Sequence, residues 1–340
     1  MANFEPPIKK THYPPEHGAR KLHPQHQRAS NKPGIVSKIL LPAFGENFTI
    51  ITDSPGTART AALLLFGTAS PETAPSGPDT LTSPDTIHIF QSQRYSPPPP
   101  GTMPLAYGKN PNESMLYQPS NREAFLSIPE DPRGAIRTTM LGLSAYIRNA
   151  LKRRGLFFIH AAAVEISGSA AAFIGENETG KSTLARYLAA RGNPLLSDDL
   201  LPVRGGGEIA VENNPAPFNP SGLPPGILDS LKQLGYNNCG YENFILPPPA
   251  PRAYPLKTAF LPRWGETTGI ESAGGALALK AIYAASRTPL QGRETLAYHE
   301  LAENIIRQTS FFAVSLIKGA PPPQSLLDSI EKAATAAATH

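Results

Sequence analysis

Cysteine is almost absent from this sequence of 340 residues, in which Cys239 is the only one. A lone cysteine excludes an intrachain disulfide framework and a cysteine-rich zinc site. No segment approaches the about 18 consecutive apolar residues of a membrane-spanning helix, and the nearest candidate, Ala61 to Phe66, is short. The first residues are rich in proline and lysine and lack the apolar part of a secretory signal. We therefore expect a soluble, cytoplasmic protein with no membrane partner.

A basic surface is also missing from most of the chain, although the net charge is +4. Residues 1–38 contain seven Lys and Arg against two Glu, and the rest of the chain has 24 basic and 25 acidic residues. The excess charge therefore belongs to the amino-terminal segment, which favours a disordered basic tail over residues 1–34. No nucleic-acid partner is expected, because the remainder of the chain is close to neutral.

The length suggests about two domains. Residues 35–131 read as a small β-rich region, residues 132–330 as an α/β domain and residues 331–340 as a carboxy-terminal tail. Short β-favouring segments between turn residues predict five strands in the first region: Ser37–Leu41, Asn47–Thr52, Thr86–Gln91, Met115–Tyr117 and Ala124–Ile128.

The pattern changes to helix at Pro132, since apolar residues from Ile136 to Leu151 recur every three or four positions. This helix is expected to end near Arg154, before Gly155. Apolar strands are then predicted at Phe157–Ile166 and Ala170–Ile174, joined by a tight turn around Gly168. A helix over Leu184–Arg191 and a buried strand from Pro194 complete a strand–helix–strand order, which indicates an α/β core.

The loop after the second of these strands satisfies the full G-x-x-x-x-G-K-[ST] pattern of a Walker A P-loop. Its glycines let backbone N–H groups point at an anion, and the following helix adds the positive end of its dipole. The lysine would contact the β- and γ-phosphates, and the serine hydroxyl can ligate Mg²⁺. The alternative is a glycine-rich turn without function. The ATP-binding residues predicted are Gly175, Glu176, Asn177, Glu178, Thr179, Gly180, Lys181, Ser182 and Thr183.

Three more polar residues are predicted to join this loop. Asp198 and Asp199 end the strand after the P-loop helix, where adjacent carboxylates would point to opposite faces. One would hold Mg²⁺ and the other would face the acceptor, unless the pair is only a solvated strand end or a helix cap. If Gly168 is the centre of the hairpin, His160 lies opposite Glu176; otherwise it is an ordinary core histidine.

These residues resemble the motifs of a known protein family. His160-Ala-Ala-Ala-Val164, Gly180-Lys-Ser-Thr183 and Leu196-Ser-Asp-Asp199 resemble the carboxy-terminal kinase domain of bacterial HPr kinase/phosphorylase. The match is specific over residues 157–203 and looser to about residue 330. It implies a P-loop fold similar to phosphoenolpyruvate carboxykinase, with a mixed sheet. It also implies Asp198 as the catalytic base, Asp199 on the Mg²⁺ side and His160 as a neighbour of the aspartate.

The sequence departs from that family at Asn213 to Phe218, where its downstream signature is missing. HPr itself is therefore not implied as the substrate. The prediction is a Mg²⁺- and ATP-dependent kinase that phosphorylates a serine-like hydroxyl of a protein, peptide or small molecule, with Lys181 assisting Asp198. Two alternatives stay open: an ATP-binding regulatory or assembly module without catalysis, and an ATP hydrolase. Assembly into a homo-oligomer is also left open. Arg252, Arg263 or Arg287 could enter the active site, and spacing does not rank them.

Overall fold

The fold was obtained as a computed structural model, which describes residues 37–44, 46–66, 85–91, 100–106, 114–214, 216–238, 244–247, 253–287 and 293–339. Two large sheets form the framework of the fold. The predicted tail at residues 1–34 lies outside the described residues, as does the loop that Ser, Thr, Pro and Gly predict over 67–85, except for Asp85. No helix in the described part of the chain is long and apolar enough to cross a membrane.

The first sheet has six strands in the order β1-β2-β3-β6-β5-β4, with parallel pairing of β3 to both β2 and β6. All five predicted strands are present, and β4 was not predicted. The strands are β1 (Ser37–Ala43), β2 (Glu46–Thr52), β3 (Thr86–Gln91), β4 (Met103–Ala106), β5 (Ser114–Gln118) and β6 (Glu123–Ile128).

Two helices pack against this sheet, α1 (Pro55–Phe66) and α2 (Pro132–Lys152). Helix α1 was missed, and the apolar segment Ala61 to Phe66 is its second half. Helix α2 was predicted almost to its ends, because its signals are local. Asp131 caps it by accepting a hydrogen bond from the Gly134 N–H at 2.6 Å, and proline occupies its first turn.

The second sheet has eight strands. Seven follow the order β11-β10-β7-β8-β14-β16-β15, and β9 pairs with β7. The strands are β7 (Leu156–Ile166), β8 (Ser169–Ile174), β9 (Leu195–Ser197), β10 (Leu200–Arg204), β11 (Ala210–Glu212), β14 (Ala253–Trp264), β15 (Gly269–Ser272) and β16 (Ser310–Leu316). A separate short pair consists of β12 (Asn237–Asn238) and β13 (Ile245–Leu246).

Helices cover both faces of the second sheet. One core contains side chains from α3 (Lys181–Ala189), α4 (Pro225–Gln233) and α7 (Gln324–Ala338), and the other contains side chains from α5 (Gly275–Ala284) and α6 (Arg293–Gln308). Helix α7 continues through residue 338 and buries Ala334. The boundary expected between residues 330 and 331 therefore falls inside a helix.

The hairpin of β7 and β8 differs by one residue from its expected register. Its turn has two residues, Ser167 and Gly168, with φ of 52° and 78°. Such a turn pairs Ile166 with Ser169, so Ser169 belongs to the strand. The pairing ends at Ala161 and Ile174, so the placement of His160 opposite Glu176 was wrong. His160 instead pairs with Leu200 of β10.

Candidate active site

The predicted P-loop lies between the end of β8 and the start of α3. The Thr179 hydroxyl donates a hydrogen bond to the Glu176 carbonyl at 2.9 Å, which curls the loop. Gly180 has a φ of 96°, and a Cβ on it would lie 2.6 Å from Leu316 Cδ1. Only glycine fits at this position without strain or a clash. The strand–loop–helix context that the sequence pattern requires is therefore present.

Lys181 begins α3 and is only 5% exposed. Its Nζ donates a hydrogen bond of 2.5 Å to the Glu176 carbonyl, so the ammonium lies against its own loop. Burial lowers the pKa of Lys181, whereas Asp199 and Asp198 raise it and Arg287 lowers it further. The sequence predicts a lysine directed at solvent or phosphate, whereas its ammonium is buried against the loop carbonyl. The Lys181 ammonium therefore interacts electrostatically with both predicted aspartates, Asp198 and Asp199.

The other loop residues lie around this lysine. The Ser182 hydroxyl donates to the Asp198 carbonyl at 3.1 Å, which ties the start of α3 to the aspartates. Glu176, Asn177, Glu178 and Thr183 are exposed at the rim.

The two aspartates occupy a bend between β9 and β10 instead of the end of one strand. The Asp198 carboxylate accepts a 2.6 Å hydrogen bond from Arg186 of α3 and is mostly buried. Its second oxygen, Oδ1, is buried without a hydrogen-bond partner in the part of the chain that the structure describes. The Asp199 side chain is 79% exposed and contacts His160 of β7. The two carboxylates therefore have different partners, and a bend, not one extended strand, positions them.

His160 contacts Asp199 directly, with 2.8 Å between Nε2 and Oδ1. A backbone hydrogen bond to the end of α5 helps to fix the histidine, since its N–H donates to the Ala285 carbonyl at 2.6 Å. The hydrogen bond from His160 lowers the pKa of Asp199, and the charges of Arg287 and Lys181 act in the same direction. Asp199 is therefore a carboxylate at neutral pH.

Two arginines that sequence reasoning did not place complete the cluster. Arg186 follows Ser182 by four residues, so helical spacing could have indicated that both lie on one face. The Arg186 guanidinium also lies over the Phe218 ring, at 4.6 Å from its centroid. Arg287 follows α5, and its Nη2 donates to Asn177 Oδ1 of the P-loop at 3.3 Å.

Arg287 was one of three arginines that the sequence suggested without ranking. Of the others, Arg263 pairs with Glu271 at 2.6 Å, and Arg252 lies outside the described residues. The Arg287 carbonyl accepts a 2.7 Å hydrogen bond from Arg148 of α2. Burial and the charge of Arg287 lower the pKa of Arg148 to about 10.

A cleft of about 900 Å³ opens beside the aspartates. One wall comes from the second sheet and its loops, and the other comes from α1 and α2. It is lined by Leu64, Leu65, Arg137, Met140, Leu141, Ser144, Arg148, Ser197, Asp198, Asp199, Leu200, Asn214, Ala216, Pro217, Phe218, Asn219, Phe244 and Arg287. Both aspartates therefore line the cleft, and the Asp198 carbonyl also bonds the Ser182 hydroxyl of the P-loop.

The oxygen atoms near the loop suit a magnesium ion that arrives with a nucleotide. Such an ion takes one or two protein carboxylates and completes its shell with phosphates and water. The unpartnered Oδ1 of Asp198 and the Ser182 hydroxyl are donors of this kind. Within the described ranges, no group of three or more His, Cys, Asp or Glu side chains could hold a metal by itself.

Comparisons with known proteins find similarity among solved structures only. No protein-family model and no curated protein matches the sequence. Among solved structures, the Hpr(Ser) kinase/phosphatase from Coxiella burnetii matches 52% of this chain and 91% of its own, with 14% identity and a TM-score of 0.28. A TM-score of this size carries no argument. The mixed α/β fold is established by the sheets and helices of the chain itself.

Proposed function

We propose that this protein is a Mg²⁺- and ATP-dependent kinase that transfers the γ-phosphoryl group to a serine-like hydroxyl of a protein, peptide or small molecule. One observation carries the proposal. Asp199, paired with His160 at 2.8 Å, lines one cleft together with Asp198, and the Asp198 carbonyl accepts a 3.1 Å hydrogen bond from Ser182 of the P-loop. Phosphoryl transfer needs these components together: a phosphate cradle, a cation and a base beside an acceptor pocket.

The P-loop amides and the start of α3 would bind the phosphates, and Lys181 would exchange its carbonyl contact for a phosphate oxygen. Ser182 and Asp198 would hold Mg²⁺, which neutralises charge on the phosphates when it is bound. Arg287 lies against Asn177 at the rim of the loop, where its charge suits the γ-phosphate. Catalysis in this arrangement consists mainly of positioning and charge stabilisation.

Asp199 is the better candidate for the base that takes the proton of the acceptor hydroxyl. Its carboxylate is exposed toward the cleft, and His160 orients it. Asp198, which the sequence favoured as the base, shares its Oδ2 with Arg186 in a mostly buried ion pair. Losing that charge would leave the guanidinium uncompensated, so Asp198 suits a metal-binding and anchoring role better. Our proposal therefore exchanges the roles of the two aspartates.

The cleft volume falls in the usual range for a small-molecule or side-chain pocket, about 300–1,000 Å³. A serine side chain on a peptide or a small hydroxylated molecule therefore has room beside Asp199. Labelling with each class of acceptor in turn distinguishes among them.

The test is incubation of the purified chain with Mg²⁺ and ATP labelled at the γ-phosphate. Free L-serine, serine-containing peptides and an extract of the producing cells would serve as acceptors, with Asp199→Asn protein as the control. Label that reaches an acceptor with the wild type and not with the variant supports the kinase. Free phosphate without labelled acceptor would indicate a hydrolase. Binding of ATP with no turnover would leave a non-catalytic nucleotide-binding module.

A further inference from the structure

An exposed tryptophan lies next to the phosphate-binding loop. Trp264, the only tryptophan in the sequence, is the last residue of β14 and is 41% exposed. Its Cη2 lies 3.7 Å from the point where a Cβ would stand on Gly180. An exposed aromatic ring beside a phosphate-binding loop offers a face on which a base can stack.

Sheet topology explains why this surface adjoins the loop. Strand β14 runs parallel to β8, and Phe260 pairs with Phe173 just before β8 ends. Strand β14 then continues past the end of β8 to Trp264, which pairs with Leu316 of β16. Trp264 lies four residues after Phe260, so both side chains are on the face that α3 covers. The indole is therefore on the same side of the sheet as the start of α3.

The orientation of a bound nucleotide follows from the neighbours of β8. On one side lies β7, with His160 and, through β9 and β10, the aspartates. On the other side lie β14 and β16. The reactive phosphate must face Asp199, so the other end of the nucleotide extends toward β14 and β16. Ligands of open α/β sheets bind outside the carboxyl ends of the strands in this way.

We propose that Trp264 binds the purine base of the nucleotide, with the base stacked on the indole ring. This inference rests on the proposed function, because it assumes phosphates in the P-loop. The surface is held in place before binding: the Gly265 N–H donates to the Leu316 carbonyl at 2.8 Å, and Arg263 pairs with Glu271 at 2.6 Å. A preformed aromatic face binds a base without a large ordering cost.

The first experiment uses the fluorescence of this single tryptophan in the full-length protein with Mg²⁺. Titration with ADP should quench or shift the emission, because the base covers the indole. Tripolyphosphate, which lacks a base, should compete with ADP for the P-loop and leave the emission nearly unchanged. A change of the same size with both ligands would show that the signal reports the phosphates, and it would overturn the inference.

The second experiment measures affinities by calorimetry. Trp264→Ala should weaken ADP binding about tenfold, the effect expected for loss of one base–aromatic stack, and leave tripolyphosphate affinity unchanged. Trp264→Phe should restore most of the loss. Leu296→Ala is the matched control, since Leu296 is 65% exposed on α6. It should change neither affinity.

The outcomes separate this inference from the proposed function. If both ligands bind and Trp264→Ala matches the wild type, the base site is wrong and the phosphate site stands. If neither ligand binds the wild type, both proposals fail together. A circular dichroism spectrum equal to that of the wild type would exclude misfolding of Trp264→Ala as the cause of weaker binding.

Discussion

The two large sheets of this protein bury their strands differently. In the first sheet, β3 alternates between buried and partly exposed residues for most of its length, because helices pack on one face. In the second, every residue of β8 is buried, since helices cover both faces. Strand β8 therefore has no polar side chain after Ser169. The candidate site accordingly lies at the carboxyl end of β8 and in the bend after β9.

The first sheet supports one wall of the cleft, whereas the candidate catalytic residues belong to the second sheet and its connections. Helices α1 and α2 pack on it and line one side of the cleft, and Arg148 of α2 reaches the Arg287 carbonyl. Leu156 and Phe158 of β7 belong to the same core as α2. The comparison therefore predicts that changes in the second sheet alter catalysis, whereas changes beneath α2 alter stability.

The largest effect is expected from Lys181→Met, which should abolish phosphoryl transfer. The apolar chain fills the space of the lysine stem, so the melting temperature should change little. Transfer measured with γ-labelled ATP and a thermal melt would check both parts. Activity close to that of the wild type would show that the P-loop is not used.

Asp199→Asn should reduce transfer by about 10²–10⁴-fold, the usual effect of removing a general base. His160→Ala should cause a smaller loss, and the double variant should be little worse than Asp199→Asn alone, because the two residues act as a unit. Initial rates at saturating ATP would measure this. Additive losses would show that His160 acts apart from Asp199.

Asp198→Asn is the matched comparison for the neighbouring carboxylate. It should increase the Mg²⁺ concentration needed for half-maximal rate and lower stability, because Arg186 loses its ion-pair partner. A metal titration of the rate and a chemical denaturation curve would measure the two effects. If Asp198→Asn instead removes transfer at every Mg²⁺ concentration and Asp199→Asn does not, the sequence-based assignment is correct.

A change beneath α2 should act on stability alone. A Cβ on Gly142 would lie 2.5 Å from Leu126 Cδ2, so Gly142→Val should destabilise the protein by about 1–3 kcal/mol through overpacking. Gly226→Val on α4 is the control, since nothing lies within 4 Å of its Cβ position. Denaturation midpoints would be compared, with transfer measured well below them. A large loss of activity in folded Gly142→Val would show that the first sheet does more than support the cleft wall.

The smallest effect is expected from deletion of residues 1–34. A polar, proline-rich segment of this composition buries little apolar surface, so the melting temperature and ADP affinity should stay nearly unchanged. Calorimetry on the truncated and full-length chains would check this. A drop of several degrees would show that the segment packs on the rest of the protein.

The sequence by itself determined the features that depend on neighbouring residues. The start of α2 follows from Pro132 and its end from Gly155, and the P-loop follows from eight consecutive residues between a strand and a helix. Helix α1 was not predicted, because its apolar residues show weak helical periodicity. Helices α4, α6 and α7 were also missed, although each is amphipathic. Local sequence signals are enough to predict an element when its backbone N–H and C=O groups find hydrogen-bond partners within a few residues.

Tertiary structure alone decided which side chains meet. The pairing of β7 with β10 brings His160 and Asp199 together. The register between β7 and β8 differs by one residue from the prediction, and their pairing ends at Ala161 and Ile174. Arg287 reaches the P-loop because its backbone is bonded to Phe158, far away in the sequence. Such contacts depend on strand register and on chain segments more than a hundred residues apart. Spacing in one sequence does not encode them, because a shift of one residue exchanges the two faces of a strand.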